Sequence, residues 1–328
     1  MTVATPVPSR RHFLRAALGA GAGRGGEPLV WDRRHLVGFG TTLALQAGHA
    51  DAPTLARALD AGVATLQRIE AQMSLFDPGS ALSRLNRDGR LAAPPAELLA
   101  LLRTAQAVAA ASDGAFDVTV QPLWTLWSEA AARQALPAPA ALQAARALVA
   151  WRDLRVSARE IRLRRPGMAV TLNGIAQGHA ADRVRAVLVE HGIRDALVDA
   201  GEFAMAGRNP RRDPWTLGLA DPRADRLLGR LVADGRCIAT SADNLTSFSD
   251  DHRHHHIFDP RTGDSPPALA GVSVVARDGA LADALTKVLF VAGPEHAAAL
   301  AARWQVDALW IDKRGVRGAT PGLRLLPA

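Results

Sequence analysis

The side chains best suited to chemistry lie toward the C-terminal end, in His256-Ile257-Phe258-Asp259-Pro260-Arg261-Thr262-Gly263 and the nearby Ala282-Asp283-Ala284-Leu285. An imidazole titrates near neutrality and can take or give a proton there. Asp283 opens an apolar helical pattern, where a carboxylate either complements the helix dipole or is held for chemistry. Upstream, Thr171-Leu172-Asn173-Gly174-Ile175-Ala176-Gln177-Gly178 sets two glycines where a strand pattern hands over to a helical one. Backbone amides at such a junction approach a phosphate closely, and the helix dipole favours the anion. A plain glycine-containing turn is the alternative. The segment is neither a dinucleotide GxGxxG nor a Walker loop. Asp113-Gly114-Ala115-Phe116-Asp117 places an aromatic between carboxylates. Phe116 or its backbone edge would receive a flat heterocycle, or else Phe116 is a core residue after a helix end. In Asp250-Asp251-His252-Arg253-His254-His255-His256, adjacent imidazoles diverge, so at most two could converge on a metal. His252, His254 and His255 read as a solvated loop; His256 is set apart by the turn that follows it.

The elements that must hold these groups follow from hydrophobic period. Residues 29–48 are strand-like, clearest at 38–45, and 51–73 carry Leu55, Leu59, Val63, Leu66, Ile69 and Met73 at helical spacing. Ser80 caps a short helix through Leu85, and Pro94-Pro95 open another that ends near Ser112-Asp113-Gly114. The alanine-rich span 129–151 reads as a surface helical pair. Strands follow at 160–163 and 168–172, then a helix over 176–191 with Val184, Leu188 and His191 on one face. Residues 195–199 return as a strand, 208–214 form a polar loop, and 306–321 make a hairpin turning at Lys313-Arg314-Gly315. With no repeat and no long linker, this is one compact α+β domain behind an N-terminal leader.

Composition narrows the function classes. The net charge of +7 owes four charges to Arg10, Arg11, Arg15 and Arg24, all before residue 27, so the chain without that stretch carries about +3. The remaining arginines are dispersed without interleaved aromatics, which argues against nucleic acid. Ser9-Arg10-Arg11-His12-Phe13-Leu14 and the mild apolar run at 16–23 match a twin-arginine export signal; a disordered basic tail is the alternative. No later stretch is apolar for the 18 residues a membrane helix needs. Cys237 is the one cysteine, which excludes an internal disulfide and a thiolate metal site; its apolar surroundings make it a small buried hydrophobe.

Taken in order, the segments resemble the ApbE family, the FAD:protein FMN transferases, over about 38–322. Phe39-Gly40-Thr41-Thr42 looks like the family's Met-Gly-Thr strand, and Met73-Ser74-Leu75-Phe76 through Leu82-Ser83-Arg84-Leu85-Asn86 like its Met-Ser segment. Gly114-Ala115-Phe116-Asp117 matches Gly-x-Phe-Asp, and 171–178 resembles Asp-Leu-Gly-Gly-Ile-Ala-Lys-Gly. Ala239-Thr240-Ser241 is similar to Ala-Thr-Ser-Gly, and 256–263 to His-Ile-Ile-Asp-Pro-Arg-Thr-Gly. The arginine-bearing segment over 1–28 reads as the leader, and the resemblance implies one flavin-transferase domain of mixed sheets and helices over 29–328. It implies FAD as substrate, Mg²⁺ at its diphosphate, and FMN placed on a Ser or Thr of a target flavoprotein with AMP released. His256 takes the place of the base. Phe39, Gly40, Met73, Ser74, Ala115, Phe116, Asp117, Thr171, Gly174, Gln177 and Arg261 take the places that bind FAD. Gly174, Asp283, Thr286 and Lys287 stand where the metal is expected. The implied acceptor is a periplasmic FMN-binding domain of a redox protein. A flavin-binding protein without transfer and an FAD pyrophosphatase are the alternatives. The chain departs from the family pattern at Thr171 for Asp, Asn173 for Gly, Gln177 for Lys, Glu202 in a Gly-Gly-Asp, and Lys287 for Thr. A cation at 287 is expected to repel Mg²⁺ or to pair with Asp283 four residues before it, unless Thr286 supplies the oxygen.

Overall fold

The computed structural model describes residues 28–328 and, ahead of them, the short strand β1 (Leu14–Ala16). The expected leader over 1–28, with Arg10 and Arg11, otherwise lies outside the described residues. A tight hairpin begins the domain. Strands β2 (Val30–Gly38) and β3 (Thr41–His49) pair antiparallel around Phe39 and Gly40. The φ values of these two residues, 51° and 72°, are the left-handed pair that a two-residue hairpin turn needs. Asp51 caps α1 (Ala52–Met73) by accepting from the Thr54 amide at 2.9 Å, and the stripe Leu55, Leu59, Leu66, Ile69 and Met73 is buried. Ser80 caps α2 (Ala81–Asp88) through the Ser83 amide at 3.0 Å. Then come β4 (Arg90–Ala92), α3 (Ala96–Ala111), α4 (Gln121–Ala132), α5 (Pro139–Ala147), β5 (Leu154–Val156) and β6 (Glu160–Leu163). Helix α6 (Ala176–Glu190) precedes β7 (Asp195–Asp199), β8 (Phe203–Ala206), β9 (Thr216–Ala220), β10 (Leu227–Val232) and β11 (Cys237–Ala242). The chain closes with β12 (Leu269–Ala276), α7 (Gly279–Ala292), α8 (Pro294–Arg303), β13 (Asp307–Asp312), β14 (Arg317–Ala319) and β15 (Leu325–Leu326).

The main sheet has the order β14-β13-β12-β11-β8-β7-β3-β2, antiparallel throughout. Successive strand residues face opposite sides, and here both sides are apolar. Val198, Ala239, Val274 and Ala308 face a core completed by α1, α6, α7 and α8. Their neighbours Leu197, Ile238, Val275 and Leu309 face a second core. Trp215, Leu217, Leu219 and Leu231 close that second core from the smaller sheet β1-β9-β10-β15. A third sheet, β4-β6-β5, is backed by α2 and α3. The α+β expectation holds. Cys237 is buried as expected: its Sγ donates to Asp182 Oδ1 at 2.8 Å, and burial raises the thiol's pKa. No helix among the described residues is long and apolar enough to cross a membrane.

Five local expectations need correction. The run over 29–48, read as strand-like and clearest at 38–45, is broken within that clearest part by the turn at Phe39-Gly40, whose left-handed φ values fold it into two paired strands. Residues 168–172 are not a strand, because the Asn86 side chain satisfies Val170 in place of a ladder partner. It donates to the Val170 carbonyl at 2.8 Å and accepts from its amide at 2.7 Å. His191 is an exposed C-cap outside the buried face of α6, its Nδ1 turned back on the Val187 carbonyl at 2.9 Å. The helical pair around 129–151 begins earlier, at Gln121, so that α4 reaches the site described below. Asp283 is not a first-turn residue. Asp278 caps α7 by accepting from the Leu281 amide at 2.8 Å, and Asp283 lies a turn deeper in a helix buried on most sides.

Candidate active site

An aromatic-walled cleft opens where the β2–β3 turn, the loop after α1, the start of α4, the turn before α6 and the loop carrying His256 meet. Phe39 and Gly40 reach it from their hairpin turn. Gly40 is required there twice over, since a side chain would need a left-handed backbone and would lie 2.7 Å from the Phe76 ring. Phe76, Phe116 and Trp124 supply the aromatic faces. The carboxylate of Asp117 lies on the wall but is committed to structure. It accepts from the Thr119 amide at 2.8 Å, the Thr119 hydroxyl at 2.6 Å and the Trp151 amide at 3.0 Å. Burial raises its pKa against these hydrogen bonds, which favour the anion.

His256 enters the cleft from a loop with its own scaffold. Its amide and its Nδ1 both approach the Thr246 carbonyl, at 3.0 and 3.2 Å. With Nδ1 donating, the neutral ring carries its lone pair on Nε2, which is the form a general base requires. The Asp-Pro-Arg-Thr-Gly turn that follows is held by Asp259, which accepts from the Arg261 amide at 3.0 Å and its Nε at 2.8 Å. The turn is clamped to α4: the Trp127 indole donates to the Gly263 carbonyl at 3.1 Å, and Leu123, Trp127 and Phe258 form a small core. The neighbouring histidines are not a solvated loop. His254 stacks on Trp127 with ring centroids 4.6 Å apart and pairs with Asp264 at 2.8 Å. His255 is fully buried against Phe290, its Nε2 3.3 Å from the Pro266 carbonyl, and burial pushes its pKa down to about 2.

The junction at 171–178 divides into two parts. Thr171, Asn173 and Gly174 line the cleft just ahead of α6. Gly178 does not: it sits in the crossing of α6 with α7, where a Cβ would lie 1.9 Å from the Gly279 carbonyl oxygen. Its amide donates to Asp283 Oδ2 at 3.2 Å, so it serves the helix pair and not a phosphate.

Four expected binding residues are placed elsewhere. Met73 is buried in the core on the inner face of α1. Ser74 beside it is buried too, its carbonyl accepting from Ser80 Oγ at 2.6 Å and its own Oγ from the Phe76 amide at 3.1 Å. Phe76, two residues on and half exposed, is the residue of that segment that reaches the cleft. Gln177 is buried against Gly201, whose absent Cβ would lie 2.2 Å from its Nε2, and it does not line the cleft. Arg261 folds back on Asp259, leaving Pro260 at the wall. Sequence reasoning missed Trp124 and Glu202. Trp124 stands at the exposed edge of the face of α4 that buries Leu123 and Trp127. Glu202, whose Oε2 accepts from the Thr240 amide at 2.9 Å, carried no periodic signal.

The expected metal residues do converge, but their donors do not fit Mg²⁺. Such an ion needs several oxygens in near-octahedral array. Asp283 is fully buried, with Oδ2 on the Gly178 amide and Oδ1 held by the Lys287 ammonium. The Thr286 hydroxyl donates to the Asp283 carbonyl at 2.7 Å, lies 2.7 Å from Ser241 Oγ, and is buried outside the cleft. Among the described residues no three His, Cys, Asp or Glu side chains gather as a metal cluster. A divalent ion about 4 Å from an ammonium meets a repulsion of about 8 kcal/mol at an effective dielectric of about 20.

The ApbE family model matches residues 39–310. This chain belongs to the ApbE family. A curated ApbE-type relative, the FAD:protein FMN transferase of Vibrio cholerae serotype O1, is 32% identical over 85% of this chain and 87% of its own length. The FAD:protein FMN transferase of Treponema pallidum is likewise 32% identical, over 78% of each chain. Among solved structures, the ApbE protein of Thermotoga maritima superposes with a TM-score of 0.80 at 25% identity, covering 89% of this chain and 97% of its own. The apo flavinyl transferase ApbE of Pseudomonas stutzeri does so with a TM-score of 0.76 at 28% identity, covering 89% and 95%. The α+β architecture described above is thus the ApbE fold.

Proposed function

We propose that the chain transfers FMN from FAD to a Ser or Thr hydroxyl of a partner flavoprotein and releases AMP. The observation that carries this reading is that His256, Lys287 and the Gly174 turn line the same aromatic-walled cleft. Phe76, Phe116 and Trp124 offer ring faces to the isoalloxazine or the adenine. The diphosphate lies toward Lys287 and the start of α6, where a cation and the helix dipole both favour an anion. The acceptor oxygen attacks the phosphorus on the FMN side, and the bond from that phosphorus to the bridging oxygen breaks. AMP departs with the bridging oxygen, while the hydroxyl proton passes to Nε2 of His256. Most of the acceleration then comes from positioning and charge, as phosphoryl transfer demands. Mg²⁺, implied by the family resemblance, enters none of these steps, because the donors around Asp283 do not fit it.

The test is incubation of the purified chain with FAD and an isolated FMN-binding domain, read by intact mass. Addition of one FMN to the acceptor is expected. FAD consumed with no mass gain on the acceptor would make water the acceptor and the chain a pyrophosphatase; FAD bound but unchanged would make it a carrier.

The Arg10-Arg11 leader supports export by the twin-arginine route, which carries folded proteins, and hence an acceptor among periplasmic redox proteins. Replacing both arginines with lysine should hold the precursor in the cytoplasm. Unchanged periplasmic recovery would reduce the leader to a basic tail.

A further inference from the structure

We infer that Lys287 is a counter-ion built into the chain for the diphosphate of FAD, so that FAD binds here without a divalent cation. The inference rests on the flavin reading above and deepens it. Four observations meet at this one side chain.

The ammonium is anchored. Nζ donates to Asp283 Oδ1 and, at 3.2 Å, to the Asp283 carbonyl. Its partner carboxylate is fully buried, whereas the lysine side chain keeps one-fifth of its surface, with 20% exposure against 0%. Lys287 lines the cleft and Asp283 does not, so the charge presented to a ligand at this point is positive.

The stem is held as well. A Cβ on Gly174 would lie 3.2 Å from Lys287 Cε, 3.6 Å from its Cδ and 3.5 Å from the Phe116 ring. The glycine thus leaves the width that the lysine stem occupies beside the aromatic wall. On α7 the residues at 283 and 287 share a face, which keeps the pair together as the helix folds.

The oxygens that a metal would need are engaged. Both Asp283 oxygens carry donors, and the Thr286 hydroxyl is buried with Ser241. An ammonium is a compact point charge with three donors, able to serve a carboxylate and a phosphate oxygen at once. A hard divalent ion would have to displace it before taking the same carboxylate.

Finally, the pair turns its positive end to the ligand in a cleft whose two lining carboxylates, Asp117 and Glu202, are engaged by the Thr119, Trp151 and Thr240 amides. The net charge of the Lys287–Asp283 pair is zero, but its positive end faces the cleft and its negative end is buried with the Gly178 amide, so the pair acts as a fixed dipole aimed at the ligand.

The experiment is a titration of the full chain with FAD, followed by quenching of flavin fluorescence, in EDTA and across a MgCl₂ series. Wild type and Lys287→Met, which keeps the stem, and Lys287→Arg, which keeps the charge, are compared, with thermal melting in each buffer as the check on folding. The expected result is a wild-type Kd that moves by less than twofold between EDTA and saturating Mg²⁺. Lys287→Met should lose at least tenfold in EDTA and recover with Mg²⁺, and Lys287→Arg should stay within threefold of wild type. A wild-type Kd that improves tenfold or more with Mg²⁺ would overturn the inference while leaving the flavin reading intact. So would a Lys287→Met that folds and binds FAD normally in EDTA. Failure of the wild type to bind FAD in any buffer would overturn the flavin reading and this inference with it.

Discussion

At the scale of single residues, the loop at 254–256 shows how three adjacent histidines acquire three different tasks. His256 alone lines the cleft. Its replacement by alanine is expected to lower FMN transfer by about 10²–10⁴-fold, the range for loss of a general acid or base. FAD affinity should stay within about twofold, because the aromatic faces of Phe76, Phe116 and Trp124 and the Lys287 ammonium, to which binding is assigned, are untouched. Transfer by intact mass and Kd by flavin fluorescence separate the two, and a near-normal rate would remove His256 from the mechanism. His255 has the opposite character: buried and neutral, it accepts from the Ile257 amide at 3.4 Å and faces the Pro266 carbonyl. Its folded pKa of about 2 lies below the unfolded value of 6.5, so the unfolded chain binds an extra proton between those limits. Stability from this group is therefore complete above about pH 6.5 and is lost as pH falls below it. Between pH 7.5 and pH 5 the loss is about 2 kcal/mol. Urea unfolding of the wild type should show this slope, and His255→Phe or His255→Leu should flatten it. The two histidines were separable from sequence only in part. The turn after His256 marked it, but nothing in the string His254-His255-His256 said that the middle ring points into the core beside Phe290.

At the scale of elements, the site depends on the crossing of α6 and α7 more than on any loop. Gly178 and Gly279 meet there with bare backbone. A Cβ on the first would lie 1.9 Å from the Gly279 oxygen, and one on the second 2.4 Å from the Gly178 oxygen. Backbone cannot yield as a side chain does, so Gly178→Ala is expected to cost about 3 kcal/mol or more, the upper range for overpacking. It should also weaken FAD binding, because separating the helices pulls the Gly178 amide from Asp283 and frees the Lys287 pair to shift. Urea unfolding and an FAD titration at a temperature where the variant is folded test both parts; an unchanged Kd would uncouple the crossing from the site. Much at this scale was legible beforehand. The stripe from Leu55 to Met73, the cap Ser80 and the hairpin at Lys313-Arg314-Gly315 all follow from period and turn chemistry. What was not legible came from long-range partners: Asn86 replacing a strand at Val170, and Asp278 capping α7 so that Asp283 lies deeper than its spacing suggested.

At the scale of the whole molecule, the cleft draws on positions from Phe39 to Lys287, so it exists only when segments far apart in the chain are packed together. FAD release and loss of secondary structure should therefore coincide on heating. At a hundredfold excess over Kd, FAD should add about 2.7 kcal/mol and raise Tm by roughly 5 °C. Calorimetry with and without FAD measures the shift, and flavin release well before the main transition would mean that the cleft opens locally. The family motifs pointed to most of these distant segments, because each keeps its local pattern. They could not tell Phe76 from Met73 as the residue facing the ligand, since that depends on where α1 ends against the β2–β3 turn. One buried group has a practical use. Cys237 is the chain's one thiol, and its pKa is raised by burial beside Asp182, whereas alkylating reagents attack the exposed thiolate. The folded chain is thus a blank background for maleimide chemistry. A cysteine introduced at Val37, 78% exposed beside the hairpin turn that carries Phe39, would take a single fluorophore or spin label at the rim of the cleft without any prior substitution.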